Sequence, residues 1–166
     1  GSLLDSGSSS SRELAGILRN LKDDSSVKAV LLDINSGGGS PVASEEISQA
    51  IEELKAVKPV YALVNDVGAS GAFWLAVSAD RVYASPMSIL GSIGVTSVGF
   101  GLEDFIQEYN ISYRKPTAGE YKDLGSPFRE MTEDEKIILQ NVLDEIHGNF
   151  ITHIAEQRNM SYEEVE

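Results

Sequence analysis

Apolar positions along the chain follow two rhythms that take turns. Leu14, Ile17, Leu18 and Leu21 repeat at three- and four-residue intervals, which predicts an amphipathic helix over residues 10–21. "VKAVLLDI" is a dense β-branched and leucine run, the pattern of a strand buried on both faces. It ends in "NSGGGSP", after which Ser40 and Pro41 open a helix striped by Ile47, Ala50, Ile51 and Leu54. The cycle repeats with "PVYALV" as a strand, "NDVGAS" as a glycine-containing turn and "GAFWLAVSA" as a short apolar helix. "RVYAS" and "IGVTSV" predict further strands, "LEDFIQEYN" a helix and "ISYRK" another strand. Thr132 and Glu135 have capping-box spacing and open a long helix with Ile138, Val142, Ile146, Phe150 and Ile154 in step. Strands alternating with helices predict α/β architecture with a largely parallel sheet and flanking helices. No fixed-length repeat or linker divides the chain. Residues 12–166 are expected to form one domain, preceded by a flexible Ser- and Gly-rich segment over residues 1–11 whose Gly1-Ser2 reads as a tag scar.

Composition narrows the function. A chain of 166 residues with 42% hydrophobic content suffices for one real core. Its formal charge of −13 argues against nucleic acid, or an anionic membrane surface, as the main partner. With no cysteine there is no thiolate catalysis, disulfide or cysteine metal site, and His147 and His153 alone leave little for a metal. No cofactor is implied. No stretch approaches the roughly 18–20 uninterrupted apolar residues that span a bilayer.

The candidate chemistry lies at two glycine turns, "NSGGGS" and "VGASG", each following a strand. In α/β sheets, sites gather beyond the carboxyl ends of strands, so both turns belong at one edge and can face one another. A backbone N–H from each, aimed into one pocket, is the geometry of an oxyanion hole. Ser70 sits among Gly68, Ala69 and Gly71, stripped of bulk where a strand turns into a helix. A serine nucleophile needs a base. Both histidines fall on the long C-terminal helix at core-flanking or exposed positions, so neither is favoured. A lysine serves where burial keeps its amine neutral, and Lys122 in "AGEYKDLGSPF" stands among glycines, aromatics and a proline rather than on a charged helix face. A loop lysine is by itself most often solvated. As a base, Lys122 is expected to be buried beside Tyr121, with Asp123 pointing away.

Four linked motifs then resemble the signal peptide peptidase A family, the membrane-associated Ser-Lys proteases of the Clp protease and crotonase superfamily. They are "VKAVLLDINSGGGS", "VNDVGASGAFWLAVSAD", "GSIGV" and "YKDLGSPFREMTEDE", in the family's order, and the resemblance runs from about Leu14 to the end. It implies a spiral of repeated ββα units with the long helix serving assembly. It also implies Ser70 as nucleophile, Lys122 as general base, and Ser92 as the serine that orients the lysine. The oxyanion hole would be the N–H of Gly71 with that of Gly38 or Gly39.

By the same resemblance the substrates are apolar peptides such as remnant signal peptides. A homo-oligomer is expected, in which a neighbour orders or completes the Lys122 segment. Membrane association is expected through a segment absent from this chain, with the catalytic domain expected to be extracytoplasmic. The domain is expected to be truncated at both ends, since a fresh capping box (Ser161 to Glu164) precedes the last residue. One departure stands out: Ser36-Gly37-Gly38-Gly39 occupies the place of the family's Ser-Pro-Gly-Gly, which frees the turn without removing the donor.

Two other functions share this fold. A crotonase-like acyl-CoA enzyme would want carboxylates on the "GASG" turn and basic residues for the CoA phosphates; Ser70 and the charge of −13 count against it. A non-catalytic oligomeric scaffold is disfavoured by Ser70 and Lys122 occurring together.

Overall fold

A computed structural model describes residues 10–166. The chain forms two compact units, residues 10–94 with 148–166 and residues 95–147. Most of the first unit is laid down as α1 (Ser11–Asp23), β1 (Val30–Ser36), α2 (Pro41–Lys55), β2 (Val60–Ala69), α3 (Gly71–Ser78), β3 (Arg81–Ala84) and β4 (Ile89–Gly91). The second holds α4 (Glu103–Glu108) and the start of α5 (Glu133–Arg158); the end of α5 and α6 (Tyr162–Val165) belong to the first. The α/β class, the parallel sheet, the flanking helices and the long C-terminal helix are as the sequence predicts.

Local rules explain most of the boundaries. Ser10 caps α1 by accepting from the Glu13 N–H, and Ser40 caps α2 in the same way with Pro41 at the first helical position. Ser11 already lies buried in α1, inside the segment expected to be flexible, while residues 1–9 lie outside the described part. At α5 the Glu135 N–H donates to Thr132 Oγ1 (3.3 Å) and the Thr132 N–H to Glu135 Oε2 (2.9 Å), the predicted capping box. Ser161 and Glu164 form the second.

All strand pairs are parallel, in the order β1-β2-β3, with β4 on the far part of β2. The core of the first unit lies between this sheet and α1, α2 and α3, where Ile51, Leu54, Val60 and Val64 are essentially inaccessible. Burying each such side chain contributes about 1.5–3 kcal/mol. The second unit is different: among its described residues Ile106 is the one buried hydrophobic side chain.

Three predicted elements are corrected. "NDVGAS" is no turn, because β2 runs on to Ala69. Between Ile34↔Val64 and Ser36↔Gly68, β2 advances further than β1, a bulge that bends it from β3 towards β4. Polar side chains hold that bulge. Asn65 Nδ2 donates to Asp33, Asn35 Nδ2 to Asp66 (3.2 Å), and the Val67 N–H to Asn35 Oδ1 (3.2 Å). "IGVTSV" forms no strand, because Gly91 (φ 97°) and Ser92 (φ 53°) turn the backbone out of extended geometry just where it would begin. "ISYRK" likewise follows a left-handed Asn110 (φ 53°) and has no ladder to join within its unit.

The stripe of the long helix is also only half buried. Phe150 and Ile154 pack against Val77 in the first unit, whereas Ile138 and Val142 stay exposed.

Candidate active site

The bulge decides where β2 ends. Ala69 pairs with Gly91 of β4, and the next residue, Ser70, donates its N–H to the Gly91 carbonyl (2.8 Å). Ser70 takes φ 51° and ψ −126°, a conformation non-glycine residues adopt at a cost of about 1–3 kcal/mol and which clusters at functional sites. This sharp corner joins strand to helix, and it leaves the Ser70 side chain without a capping bond to α3.

Gly71 follows as the first residue of α3, where helix geometry offers its N–H no intrahelical acceptor. The positive end of the helix dipole falls at the same point.

The second glycine turn meets this corner directly. Gly38 is buried with φ 103°, and a Cβ built on it would lie 2.7 Å from Gly71 N, 2.8 Å from Ser70 Cβ and 2.9 Å from Ala69 O. Only glycine fits. The glycine turn after β1 and the corner after β2 therefore meet at one edge, at the carboxyl ends of these strands. The Gly38 N–H donates to Ser36 Oγ (3.2 Å), while Gly39, one residue on, is exposed. Ser92, exposed and left-handed, directly follows Gly91, the strand partner of Ala69. Ser70, Gly71, Gly38 and Ser92 thus form one group in the first unit.

Lys122 belongs to the second unit, on a run of turns closed by Lys122 N–H to Gly119 O (3.4 Å) and Leu124 N–H to Tyr121 O (3.1 Å). Its side chain is exposed, and Tyr121 beside it is too. The expected burial is not found within this chain, because the unit has almost no core in which to bury it.

Asp123 is turned to other partners. Arg129 grips it with Nε and Nη2, each at 2.9 Å, and Lys115 Nζ stands 2.6 Å away. Hydrogen bonds from Arg129, then from Lys115, hold its carboxyl well below the usual carboxylate range. The same guanidinium bonds Glu135, which is lowered to about 2 by Arg129 and then by the Thr132 N–H.

His153 has a structural part. It stacks on Trp74 with ring centroids 4.4 Å apart, and its Nε2 lies 3.0 Å from Ser78 Oγ, which in turn meets Ser48 Oγ at 2.8 Å. Burial, only partly offset by the Trp74 carbonyl, lowers its pKa to about 4, so the ring is neutral. Its partner Ser78 ends α3, one helix length (about 12 Å) from Ser70. Trp74 and Leu75 pack into the core, as the apolar pattern after Ser70 predicts.

Sequence reasoning passed over two groups: the Asp33, Asn35 and Asp66 side chains that hold the bulge, and Arg129. The polar ends of "LLDIN" and "VND" carried a trace of the first; the second lies inside "YKDLGSPFREMTEDE", a motif read for its lysine. Among the described residues no cluster of His, Asp or Glu could hold a metal ion, and no helix is long and apolar enough to cross a membrane.

Comparison with known proteins decides the family, since the profile described as Peptidase family S49 matches residues 52–166. The chain belongs to peptidase family S49. The resemblance to signal peptide peptidase A is thereby borne out. The Methanocaldococcus jannaschii protein MJ0651, named as a candidate protease, is 41% identical to this S49 chain over 150 residues, covering 90% of the chain and 48% of that protein. Protease 4 of Haemophilus influenzae is 32% identical over 154 residues, covering 92% and 25%. An Enterococcus faecium protein named as a candidate signal peptide peptidase is 28% identical over 144 residues, covering 86% and 42%. The S49 chain spans about half or less of the length of these relatives.

Proposed function

We propose that this chain carries the catalytic centre of a serine endopeptidase that works through an acyl-enzyme. The observation that carries the reading is the closeness of Gly38 to Ser70 and Gly71, which sets a strained serine beside a helix-terminal amide. Ser70 Oγ attacks the peptide carbonyl carbon. Its proton passes to the neutral amine of Lys122 and from there to the departing amine; water then releases the acyl group. The oxyanion is received by the Gly71 N–H together with that of Gly38 or Gly39. Gly38 can donate to it only when its bond to Ser36 gives way. Ser92, placed beside Ser70 by the register of β4, is assigned to hold the lysine amine without adding charge.

The exposure of Lys122 supports a homo-oligomer. A lysine serves as a base where burial favours its neutral amine, so a neighbouring copy orders, covers or completes this segment. Exposed Val98, Phe100, Ile111 and Ile137 in the second unit supply apolar surface for such a contact.

Apolar peptides, remnant signal peptides among them, are the proposed substrates. A groove of about 420 Å³ lined by Leu14, Ile17 and Leu31 reaches Asn35 and Ser36, just short of the Gly38 turn. The expected membrane association and extracytoplasmic placement belong to the same reading.

The test measures sedimentation and hydrolysis of apolar peptides together across a dilution series. The rate per chain should fall as the particle dissociates; fully active monomers would contradict the assembly. Mixing Ser70→Ala with Lys122→Ala chains restores turnover if neighbours complete the dyad, and not if one chain holds both.

A further inference from the structure

Arg129 is the best-connected side chain in the second unit, and the reaction as written gives it no part. Its guanidinium spans two carboxylates: Asp123 through Nε and Nη2, and Glu135 through Nη1 (2.7 Å) and Nη2. A further bond from Nη1 reaches the Glu130 carbonyl (2.9 Å). Glu135 is 2% exposed and completes the capping box of α5. Asp123 directly follows Lys122 in the chain. Arg129 therefore fastens the turn bearing Lys122 to the start of a helix, with planar bidentate geometry that a lysine could not supply.

We infer that Arg129 is a positioning residue for Lys122, fixing the turn through Asp123 and Glu135 while cancelling the Asp123 charge beside the base. This rests on the assignment of Lys122 as general base. The cancellation matters because a free carboxylate next to the lysine would hold it protonated, and a protonated lysine cannot accept the Ser70 proton.

Charge counting makes the role testable. The cluster holds Lys115 and Arg129 against Asp123 and Glu135, two positive and two negative. Asp123 faces Lys115 and Arg129; Glu120, on the Lys122 turn, and Asp134, on α5, are the other carboxylates whose charge reaches that turn, at Tyr121. Neither changes in the variants below. Arg129→Gln leaves the cluster one unit negative, Asp123→Asn leaves it one unit positive, and the double variant returns it to neutral.

The experiment follows acylation of Ser70 by a fluorophosphonate against pH, in the assembled full chain. Arg129→Gln should move the profile alkaline, by at most about one unit for a carboxylate carried on the neighbouring residue and turned to other partners. It would then react up to about tenfold more slowly at neutral pH and climb at high pH to a plateau below the parent's, the turn being loosened. Asp123→Asn should move the profile to lower pH, and the double variant should return it to the parent position with a lower plateau. A purely structural arginine would lower the rate at every pH without these opposed shifts. Should Arg129→Gln fail to fold, Asp123→Asn alone carries the test, and an unmoved profile overturns the inference. Lys122→Ala separates the two claims. If it acylates at the parent rate, the base assignment falls and the inference with it; if it is inactive and both profiles stay put, the base stands and the Arg129 role falls.

Discussion

Gly38→Ala puts the closeness of the two glycine turns to a quantitative test. The new methyl would stand 2.7 Å from Gly71 N and 2.9 Å from Ala69 O, both backbone atoms that cannot rotate aside. Ordinary contact begins near 3.5 Å, so the turn would have to retreat by about 0.8 Å. At φ 103° an alanine also carries backbone strain of about 1–3 kcal/mol. Since a misplacement near 1 Å costs on the order of 100-fold in rate, acylation of Ser70 should fall by about that much. Stability should fall by a few kcal/mol and melting by several degrees. Gly37→Ala is the control, because no atom lies within 4 Å of its added carbon and it should react like the parent. Fluorophosphonate labelling of Ser70 and a thermal melt read both effects. Gly38→Ala labelling at the parent rate with an unchanged melt would refute the geometry.

Gly71→Pro removes one N–H at the first helical position and should lose about 100- to 1000-fold in peptide turnover; a folded variant with near-normal turnover would reassign the donor. His153 is held neutral with a pKa of about 4 against 6.5 when unfolded, so its contribution is whole above about pH 6.5 and is lost as pH falls towards 4. Allowing for solvent reaching the ring, that loss is about 1–2 kcal/mol, and denaturant titrations of His153→Phe should no longer show it. Glu135 adds acid sensitivity of the same sign: its stabilisation is complete above the ordinary carboxylate range and disappears as pH falls towards about 2. Glu135→Gln should therefore be less stable than the parent at neutral pH, with the difference closing in acid melts.

The sequence disclosed what depends on neighbours along the chain. Helical stripes, the caps at Ser40 and Thr132, and the strand-to-helix corner at Ser70 were all legible, because spacing and side-chain chemistry settle them locally. What depends on pairing across space was not. "IGVTSV" and "ISYRK" have strand composition, yet left-handed Ser92 and Asn110 deflect the chain before either can join a ladder. The "NDVGAS" stretch looked like a turn because its polar residues fit one. In the fold they satisfy Asp33 and Asn35 across a bulge. Lys122 was chosen for its surroundings in sequence, but burial is a property of the assembled surface, and in one chain it is exposed.

The central claim is that Ser70 is acylated and Lys122 takes its proton. Mass spectrometry of the fluorophosphonate-treated particle, with the adduct located by peptide mapping and its rate of formation followed with pH, tests this most directly. One adduct per chain is expected, on Ser70. It should form faster as pH rises from neutral to mildly alkaline, and it should be absent from a folded Lys122→Ala variant and not restored by Lys122→His. An adduct on another residue, or one forming on Ser70 at the parent rate without Lys122, would contradict it.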